Sequence, residues 1–509
     1  VNGFSDEATY KAAPKALVHG RTTRAYRPGP IPAGEWAVEL GAAFIVSPDP
    51  TGIHYRVLVE TTSSPDWSND PYDPSGYDST PARPDGGWYA GDLHAHGEQE
   101  PGNATMTDTF ARGFGPMSGG GSGLDFMTIV DHNNDVAHDD LAPQQAAFPD
   151  NLIIPGTEIT TYRGHHNDQG SGPLVDFRGG PVLAPAAGTD LGANVPDSAL
   201  ERVRGPAPPS GQLAELAAGG NWSQINHPTI FREAPAFCRG CAWSYDDAET
   251  DLSRVDAIEV QTGPAGIPAG SPTAPNPYTA SAIDFYEDAL ATGARIAAVG
   301  VSDDHRGGAG TGPFDSPAGR ATTMVYADEL SEDGITEGIK GDRTYVKPFG
   351  NDGPDVDFTA LAPGEPVALI GGSTGASSAT LRAAVSGAAG TGRAGGLSLV
   401  LLRDGAVAET VPFGGDSFVY EFEAGSAGRY SLEVVRSYLG QDYVEVYTSP
   451  IYVGAGGAGA KPSNRFRVVK VKRNLRRGTA KLTVKVPGAG ELALSGKRLR
   501  RAKGAAGRA

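Results

Sequence analysis

The sequence predicts a mixed α/β protein whose central part forms a parallel sheet or barrel between two β-rich flanks. Short apolar runs recur between residues 88 and 350, and each of them ends in a cluster of polar side chains. Alanine-rich stretches with helical character lie between several of these runs. Because buried parallel strands carry near-continuous apolar runs and alternate with helices, this pattern indicates a parallel α/β arrangement.

The N-terminal segment, residues 1–85, has the pattern of a β domain followed by a linker. The stretches 35–46 and 53–62 carry β-branched and aromatic residues in partial alternation, which is typical of strands. Residues 63–87 are rich in Pro, Gly, Asp and Ser, a composition that indicates a connecting segment. We therefore expect a separate domain before the α/β region, which spans 86–350.

The α/β alternation stops after residue 350. Segments within 351–455 alternate in the manner of antiparallel strands and predict a C-terminal β-sandwich. A Gly-rich linker and a basic tail occupy 456–509, and from Lys461 onward the tail carries 16 Lys and Arg against one acid, Glu491. The tail either forms a short strand module or stays disordered. Its role is either that of a solvated arm or that of a segment that attaches to an anionic surface such as a cell-wall polymer or lipid head groups.

The charge of the whole chain is strongly negative, −18 over 509 residues. With a net +15 in the tail, the remaining 460 residues carry −33, which argues against nucleic acid as the main partner. No apolar run approaches the roughly 18 residues of a membrane span. The chain begins at Val1 without a signal-like stretch, and we expect the processed form of a secreted or extracytoplasmic protein, with the cell surface as one location.

The two cysteines, Cys238 and Cys241, form a single CxxC pair. Three interpretations stay open, of which a local structural disulfide is favoured over two inert thiols and over redox or metal chemistry. A four-thiolate zinc site is excluded because the chain has no second cysteine pair.

Histidines and carboxylates follow the ends of the apolar runs. An HxH pair, His94 and His96, ends the first run of the α/β region, and Asp303 and His305 repeat that spacing after its last run. Seven of the ten histidines fall within these polar clusters. The positions concerned are His94, His96, Asp131, His132, Glu158, His165, His166, His227, Asp303 and His305.

This set of side chains predicts a metal centre. Residues i and i+2 of a strand share one face, so both histidines of an HxH pair can reach one ion. Imidazole and carboxylate together suit Zn, Mn or Fe, and six or more ligands exceed the needs of one tetrahedral ion. We therefore predict two or three divalent transition metal ions. The sequence lacks a nucleophile elbow, a P-loop and a GxGxxG motif, which weakens serine-hydrolase, NTPase and dehydrogenase readings.

In order, the motifs DLHAH, GLDFMTIVDHN, IPGTEITT with GHHN, INHP and GVSDDH resemble the PHP (polymerase and histidinol phosphatase) superfamily of metallohydrolases. The resemblance covers residues 88–350 and, given the multi-domain layout, is nearest to the carbaryl-hydrolase-like branch. It implies a distorted (β/α)7 barrel with a two- or three-metal site at its strand ends, flanked here by N-terminal and C-terminal β-sandwich-like domains.

The resemblance also implies a role for each matching residue. Glu158 would be the bridging carboxylate, and His165 is preferred over His166 as the histidine after the TT strand. Where the family has an SDG-like acid, this chain has GEQEPGN, so Glu98 or Glu100 is the candidate. The metal ligands implied are His94, His96, Glu100, His132, Glu158, His165, His227, Asp303 and His305.

Three further residues have predicted roles beside the metal. Arg163 and Arg306 adjoin ligand positions and could orient a substrate anion, although surface ion pairs are the alternative for both. Asp131 could orient His132 or carry a proton. Glu259, in IEVQTG, is expected to support the structure instead of binding metal.

The predicted function is that of a metal-dependent hydrolase in which a metal-bridged hydroxide attacks phosphorus or a carbonyl carbon. A phosphoesterase acting on phosphomonoesters or phosphodiesters is the first choice, and a carboxyl ester, carbamate or amide hydrolase is the alternative with the same site. A third hypothesis, from another class, is an extracellular surface-binding protein whose metal site is vestigial.

Overall fold

The computed structural model describes residues 80–99, 104–176, 207–268 except 236 and 239, 273–310 and 312–454. It also describes a few isolated earlier positions and four strands between 467 and 506. The contacts divide the chain into two units, Val1–Gly457 and Ala458–Ala509. The predicted N-terminal β domain, Glu100 and the Gly-rich linker lie outside the described residues, and the predicted domain limits stay predictions.

The central region alternates strands with helices. Its helices are α1 Met106–Phe114, α2 Leu141–Ala147, α3 Pro209–Gly219, α4 Pro277–Ala291 and α5 Glu332–Lys340. Its strands are β1 Gly87–Ala95, β2 Phe126–Ile129, β3 Leu152–Thr161, β4 Gly164–Gln169, β5 Trp222–Ile225, β6 Ala257–Thr262, β7 Gly266–Ile267, β8 Ala274–Pro275, β9 Ala297–Val301, β10 Thr322–Ala327 and β11 Thr344–Lys347.

Side-chain caps fix where several of these helices begin. The Thr105 hydroxyl accepts the backbone N–H of Asp108 at 3.1 Å at the start of α1, and the Ser331 hydroxyl accepts that of Gly334 at 2.9 Å at the start of α5. At α4 the Asn276 side chain accepts the N–H of Tyr278 at 3.0 Å. Each cap satisfies a backbone donor that has no partner inside its helix.

The central sheet follows the order β10-β1-β2-β3-β4-β5-β6-β9. Neighbouring strands from β1 to β3 and from β5 to β9 run parallel, as the sequence predicts. The prediction of a parallel run is wrong at β4, which pairs antiparallel with both β3 and β5, and at β10, which pairs antiparallel with both β1 and β11. At β4 the reason is a tight hairpin at Tyr162 and Arg163, which turns the TTYRGHHN stretch back on itself instead of ending one strand in a polar loop.

The segment after β9 meets the carboxyl end of β1. The N–H of Asp303 donates to the carbonyl of His94 at 2.9 Å, and the N–H of His96 donates to the carbonyl of Asp304 at 2.9 Å. Ala95 and Asp304 also form an isolated parallel bridge. The HxH segment and the segment after β9 are therefore fixed side by side by backbone hydrogen bonds, although more than 200 residues separate them in sequence.

The strands after residue 350 form two layers. They are β12 Asp355–Leu361, β13 Ala368–Leu369, β14 Ser373–Thr374, β15 Ala379–Ser386, β16 Gly396–Arg403, β17 Ala406–Phe413, β18 Phe418–Ala424, β19 Gly428–Tyr438, β20 Gln441–Thr448 and β21 Ile451–Val453. Strands β12, β13, β15 and β18 form one sheet, and the others join the large sheet.

One apolar cluster lies between these layers. Phe358 and Phe422 from the four-stranded sheet share it with Leu399 and Leu432 from the large sheet, and all four are buried. Strand β20 pairs with β11, with Tyr345 opposite Thr448 in register. The C-terminal strands therefore continue the central sheet.

The second unit contains two antiparallel hairpins, in which β22 Arg467–Asn474 pairs with β23 Thr479–Lys485 and β24 Gly490–Leu494 with β25 Ala502–Ala506. Of the two forms predicted for the tail, the strand module is the one observed. Across the described part of the chain, we find no helix that combines the length and the apolar character needed to cross a membrane.

The contact between Gly91 and Phe126 gives a test of the packing that holds β1. The two residues are register partners in β1 and β2, and a Cβ on Gly91 would lie 2.2–2.4 Å from the buried Phe126 ring. We expect Gly91→Ala to lower the free energy of unfolding by about 1–3 kcal/mol, measured by urea denaturation. Gly396→Ala is the matched control, because its Cβ would meet no atom within 4 Å. Equal stability of the two variants would contradict this packing.

Candidate metal centre

The HxH pair lies at the end of β1 with both side chains fully buried. The Nε2 atoms of His94 and His96 approach each other to 3.1 Å. Both also face Asp303, whose Oδ1 lies 3.3 Å from His94 Nε2 and 3.1 Å from His96 Nε2. Two imidazoles and one carboxylate thus converge on a single point, as the i, i+2 spacing predicts.

Glu158, on β3, lies at the middle of the histidines. Its Oε1 is 3.0 Å from Nδ1 of His165 and 3.3 Å from Nε2 of His227, while its Oε2 is 2.6 Å from Nδ1 of His132. His94 and His96 each lie 3.6 Å from the same carboxylate. A carboxylate so placed can bridge two or more ions.

The segment after β9 carries the DxH pair, Asp303 and His305. His305 Nε2 lies 3.3 Å from Asp303 Oδ1, and the His305 ring stacks on His96 with centroids 3.8 Å apart and planes 9° from parallel. His132 completes this side, with its ring centroid 4.8 Å from that of His96. His96, His132 and His305 therefore form a three-histidine set.

Glu259, on β6, orients two of the histidines and is itself fully buried. Its Oε1 accepts a hydrogen bond from His94 Nδ1 at 2.7 Å, and its Oε2 accepts the backbone N–H of His227 at 2.7 Å. Gln224 and Thr262 donate to the same carboxylate at 2.8 and 2.6 Å. Since a carboxylate only accepts, His94 keeps a proton on Nδ1, and Nε2 is the ring nitrogen that faces the centre.

The tautomer of His227 is fixed in the same way. Its Nδ1 donates to the carbonyl of Cys241 at 3.1 Å, which leaves Nε2 as the ring nitrogen that faces Glu158. His227 and Asp303 both adopt a positive φ, 29° and 55°. Such backbone conformations in non-glycine residues persist only where the surroundings enforce them, and they concentrate at functional sites.

The adjacent histidines of β4 point to opposite faces. His165 faces Glu158, whereas His166 packs edge-on against Trp243, with centroids 6.2 Å apart. Burial lowers the pKa of both side chains to about 4, so both are neutral near pH 7. Of the two alternatives in the sequence, the preferred one, His165, is the residue that faces the cluster.

The charge of the cluster favours cation binding. Burial acts against protonation of His94, but Asp303, Glu158 and Glu259 outweigh it and raise its pKa well above the ordinary value. Burial also acts to raise the pKa of Glu158, and the surrounding histidines, with His132 first, outweigh it and hold that pKa well below its usual range. Within the described part of the chain, Glu158 and Asp303 form ion pairs with histidines alone.

The donor set fits divalent metal ions. Four groups free of cysteine each place three donor atoms within 4.8 Å of one another. They are His94, His96 and Asp303; His94, Glu158 and His227; His132, Glu158 and His165; and His96, His132 and His305. The buried Nε2 of His165 has no hydrogen-bond partner among the described residues, as expected for an atom awaiting a ligand. The groups share members, so the cluster offers neighbouring sites and not one isolated site.

A fifth group contains Cys241 together with His165 and His227. Cys241 is bonded to Cys238 in a disulfide, the favoured interpretation of the CxxC pair. In that form its sulfur is not a thiolate and cannot act as an ordinary cysteine ligand.

The other candidates lie around the cluster. Asp131 is buried, and its Oδ1 accepts the N–H of Gly97 at 2.7 Å, which holds the turn after the HxH pair. Arg306 is exposed beside His305. Glu98 accepts the backbone N–H of Met106 at the start of α1, whereas Glu100 lies outside the described residues.

Arg163 is engaged in an ion pair. Its guanidinium forms a two-pronged ion pair with Glu249, at 2.6 and 2.7 Å, and lies over the Tyr245 ring. This is an ion pair of the kind that the alternative interpretation describes for Arg163, and its role in orienting a substrate anion stays a prediction. Sequence reasoning missed this pair because the partners lie 86 residues apart.

Two supporting residues carried a signal that the sequence reasoning did not use. Asn226 precedes His227 in INHP, and its side chain donates to Glu158 at 3.0 Å and to Asn167 at 2.7 Å. Asp92 precedes the HxH pair, and its Oδ1 accepts the N–H of His94 at 3.1 Å. Burial raises the pKa of Asp92 to about 6. Both lie within two residues of a histidine of the cluster, which is the signal in the sequence that marks them.

No protein-family model and no curated protein matches the chain. Among solved structures, a two-domain protein from Bacteroides vulgatus, described as containing a predicted PHP-like metal-dependent phosphoesterase, is similar at 16% identity and a TM-score of 0.35, over 74% of this chain and 98% of that one. The lesion-specific endonuclease of Pyrococcus furiosus is similar at 15% identity and a TM-score of 0.28, over 50% and 56%. Both likenesses are distant and assign no activity to this chain.

The two neighbouring histidines of β4 provide a matched pair of variants. We expect His165→Gln to lower the amount of metal that the purified protein retains, because it removes a donor that faces Glu158. His166→Gln should leave the metal content unchanged, because that ring packs on the opposite face. Elemental analysis by mass spectrometry measures both. Loss of metal in the His166 variant alone would reverse the assignment.

Glu259 gives a second test, directed at ligand orientation. In Glu259→Gln an amide NH2 would replace one acceptor oxygen, and His94 and His227 would lose part of their alignment. We expect metal affinity to fall by about 10–100-fold, measured by competition with a chromophoric chelator. Glu249→Gln is the matched control, since Glu249 lies in a partly exposed pair with Arg163 and otherwise accepts the backbone N–H of Asp246. An unchanged affinity in the Glu259 variant would show that these hydrogen bonds do not tune the centre.

Proposed function

We propose that this protein is a metal-dependent hydrolase, and most specifically a phosphoesterase. The observation that carries the proposal is the position of Glu158, which lies within 3.6 Å of five histidines from four segments of the chain. Structural ion pairs seldom need so many imidazoles around one carboxylate, whereas a centre of two or three ions does. Zn, Mn and Fe all suit these donors.

Bound divalent ions would act as Lewis acids on a phosphoryl or carbonyl oxygen and would make water a stronger nucleophile at neutral pH. The residues of the chain supply the rest. Glu259 and the carbonyl of Cys241 hold His94 and His227 in the tautomers that present Nε2. Asp131 fixes the turn at Gly97 and thereby the direction of His96.

The preference for phosphoesters rests on the open side of the cluster. His305 and Arg306 are the partly exposed and exposed groups there, and both can donate hydrogen bonds to an anionic substrate. Hydrolysis of a carboxyl ester, carbamate or amide needs the same ions but no anion site. Hydrolysis of such carbonyl compounds is therefore the alternative hypothesis, and parallel assays with phosphoesters and carboxyl esters distinguish the two.

We further propose the finer architecture, a distorted (β/α)7 barrel with β-sandwich-like flanks, and membership of the PHP superfamily near its carbaryl-hydrolase-like branch. The backbone hydrogen bonds between the segments after β1 and β9 support closure of a barrel. The two layers after residue 350 support the C-terminal sandwich. An extracytoplasmic location is proposed as well, supported by the disulfide, because disulfides persist in oxidising compartments.

Hydrolysis can be tested with p-nitrophenyl phosphate, bis-p-nitrophenyl phosphate and naphthyl esters in parallel. We expect turnover of at least one phosphoester, its loss on treatment with a chelator, and its recovery when Mn or Zn is restored. Turnover of naphthyl esters alone would move the assignment to the carboxyl ester alternative. Less than one transition metal per chain, with no gain on adding Mn or Zn, would favour a binding protein instead.

His94→Ala and Asp303→Ala link this activity to the cluster. Both variants should lose metal and turnover together, while the far-ultraviolet circular dichroism spectrum of the protein stays unchanged. Glu249→Gln is the control, because this carboxylate pairs with Arg163 and not with a histidine of the cluster among the described residues. Retained turnover in both ligand variants would refute the assignment of the site.

A further inference from the structure

We propose that Cys241 is a latent metal ligand, kept out of the centre by its disulfide and released into it by reduction; this rests on the metal-dependent function proposed above. The Cys241 side chain is buried, and its sulfur and one ring nitrogen from each of His165 and His227 lie within 4.8 Å of one another. Cysteine thiolates and histidine imidazoles are both ordinary zinc ligands and occur together in many zinc sites.

The position of Cys241 is fixed from two sides. Its carbonyl accepts His227 Nδ1 at 3.1 Å, and the N–H of Trp243 donates to the carbonyl of Pro228 at 2.9 Å, so the loop is fastened to the ligand-bearing INHP segment. On the other side, Gly240 has φ +87°, and a Cβ there would lie 2.6 Å from Tyr162 Cα. These contacts do not involve the disulfide bond, and they hold Cys241 in place when that bond opens.

The buried ring of His165 gives a second observation in support of an ion at this place. His165 is almost completely buried, and its Nε2 lacks a hydrogen-bond partner among the described residues. Buried polar atoms in folded proteins are nearly always satisfied, by protein, water or an ion. An ion between His165, His227 and a Cys241 thiolate would satisfy this nitrogen.

The two sulfurs differ in access, which sets the course of the reduction. Cys238 is half-buried, whereas Cys241 is only 8% exposed. A small dithiol would attack the Cys238 sulfur as a thiolate, and the S–S bond would break with Cys241 leaving as a thiolate. The second thiol of the reductant then displaces Cys238, which leaves as a thiolate, and the reductant becomes a cyclic disulfide. Two electrons pass to the protein, and the Cys241 thiolate becomes available to the ion.

Reduction would thus change the centre without moving the chain. A thiolate would add negative charge beside His165 and His227 and fill a coordination position, so the ion would become a weaker Lewis acid. Hydrolytic turnover of the reduced protein should fall. The oxidised protein, as it would exist outside the cytoplasm, would be the active form.

Cobalt(II) gives a direct test, since a thiolate bound to cobalt produces a charge-transfer absorption in the near ultraviolet that imidazole and carboxylate do not. The full-length protein is stripped with a chelator and loaded with cobalt as wild type, Cys238→Ser and Cys241→Ser. Both variants lack the disulfide, but only Cys238→Ser leaves the sulfur at position 241. We expect the band in Cys238→Ser and its absence in Cys241→Ser and in oxidised wild type.

Wild-type protein provides a second measurement that needs no substitution. After reduction with a dithiol, which is then removed under nitrogen, the same band should appear on adding cobalt and disappear on reoxidation. Equal cobalt content in all samples with no band in Cys238→Ser or reduced wild type would overturn the role of Cys241 and leave the metal-dependent function intact. No cobalt bound in any sample would overturn both.

Discussion

The buried carboxylate of Glu158 is the constraint on which the rest of the site depends. Five histidines approach it within 3.6 Å, and desolvation of so many polar groups is tolerated only when opposite charges compensate. Burial opposes protonation of His94, but Asp303, Glu158 and Glu259 outweigh it and raise its pKa, so this imidazole supplies part of the compensation. A divalent cation would supply positive charge without protons. Metal binding at this cluster would therefore be coupled to proton release.

The fold serves this carboxylate by bringing distant strand ends to one place. Glu158 stands on β3, the HxH pair ends β1, and Asp303 follows β9. Backbone hydrogen bonds join the last two segments, so their geometry does not depend on side-chain packing alone. Glu259 then links β6 to both His94 and His227 through one set of hydrogen bonds. A ligand cage built on strand ends and supported by a second layer of carboxylate contacts is rigid, which precise metal geometry requires.

Sequence reasoning could predict the members of this cage because ligand chemistry restricts them to few residue types, and strand periodicity tells which of them share a face. It could prefer His165 to His166 only through family resemblance, since both adjoin the same turn. The β3–β4 hairpin was missed because its two strands read as one apolar run with a polar end. Contacts across long separations were beyond reach altogether: nothing local in the sequence shows that Arg163 pairs with Glu249 or that Glu259 holds His94.

The cluster is more exposed to solvent on one side than on the other. The side chains of His132, Asp303 and His305 are 19, 25 and 32% exposed, whereas those of His165 and His227 are 6 and 3% exposed. Among the described residues, the first side is therefore the more open one, and Arg306 lies there next to His305. The second side is closed by the loop that carries the disulfide, and a group acting there would reach the ions without competing for the substrate's path. A substrate at the open side and a group acting at the closed side would therefore address the same ions, because Glu158 contacts histidines on both sides.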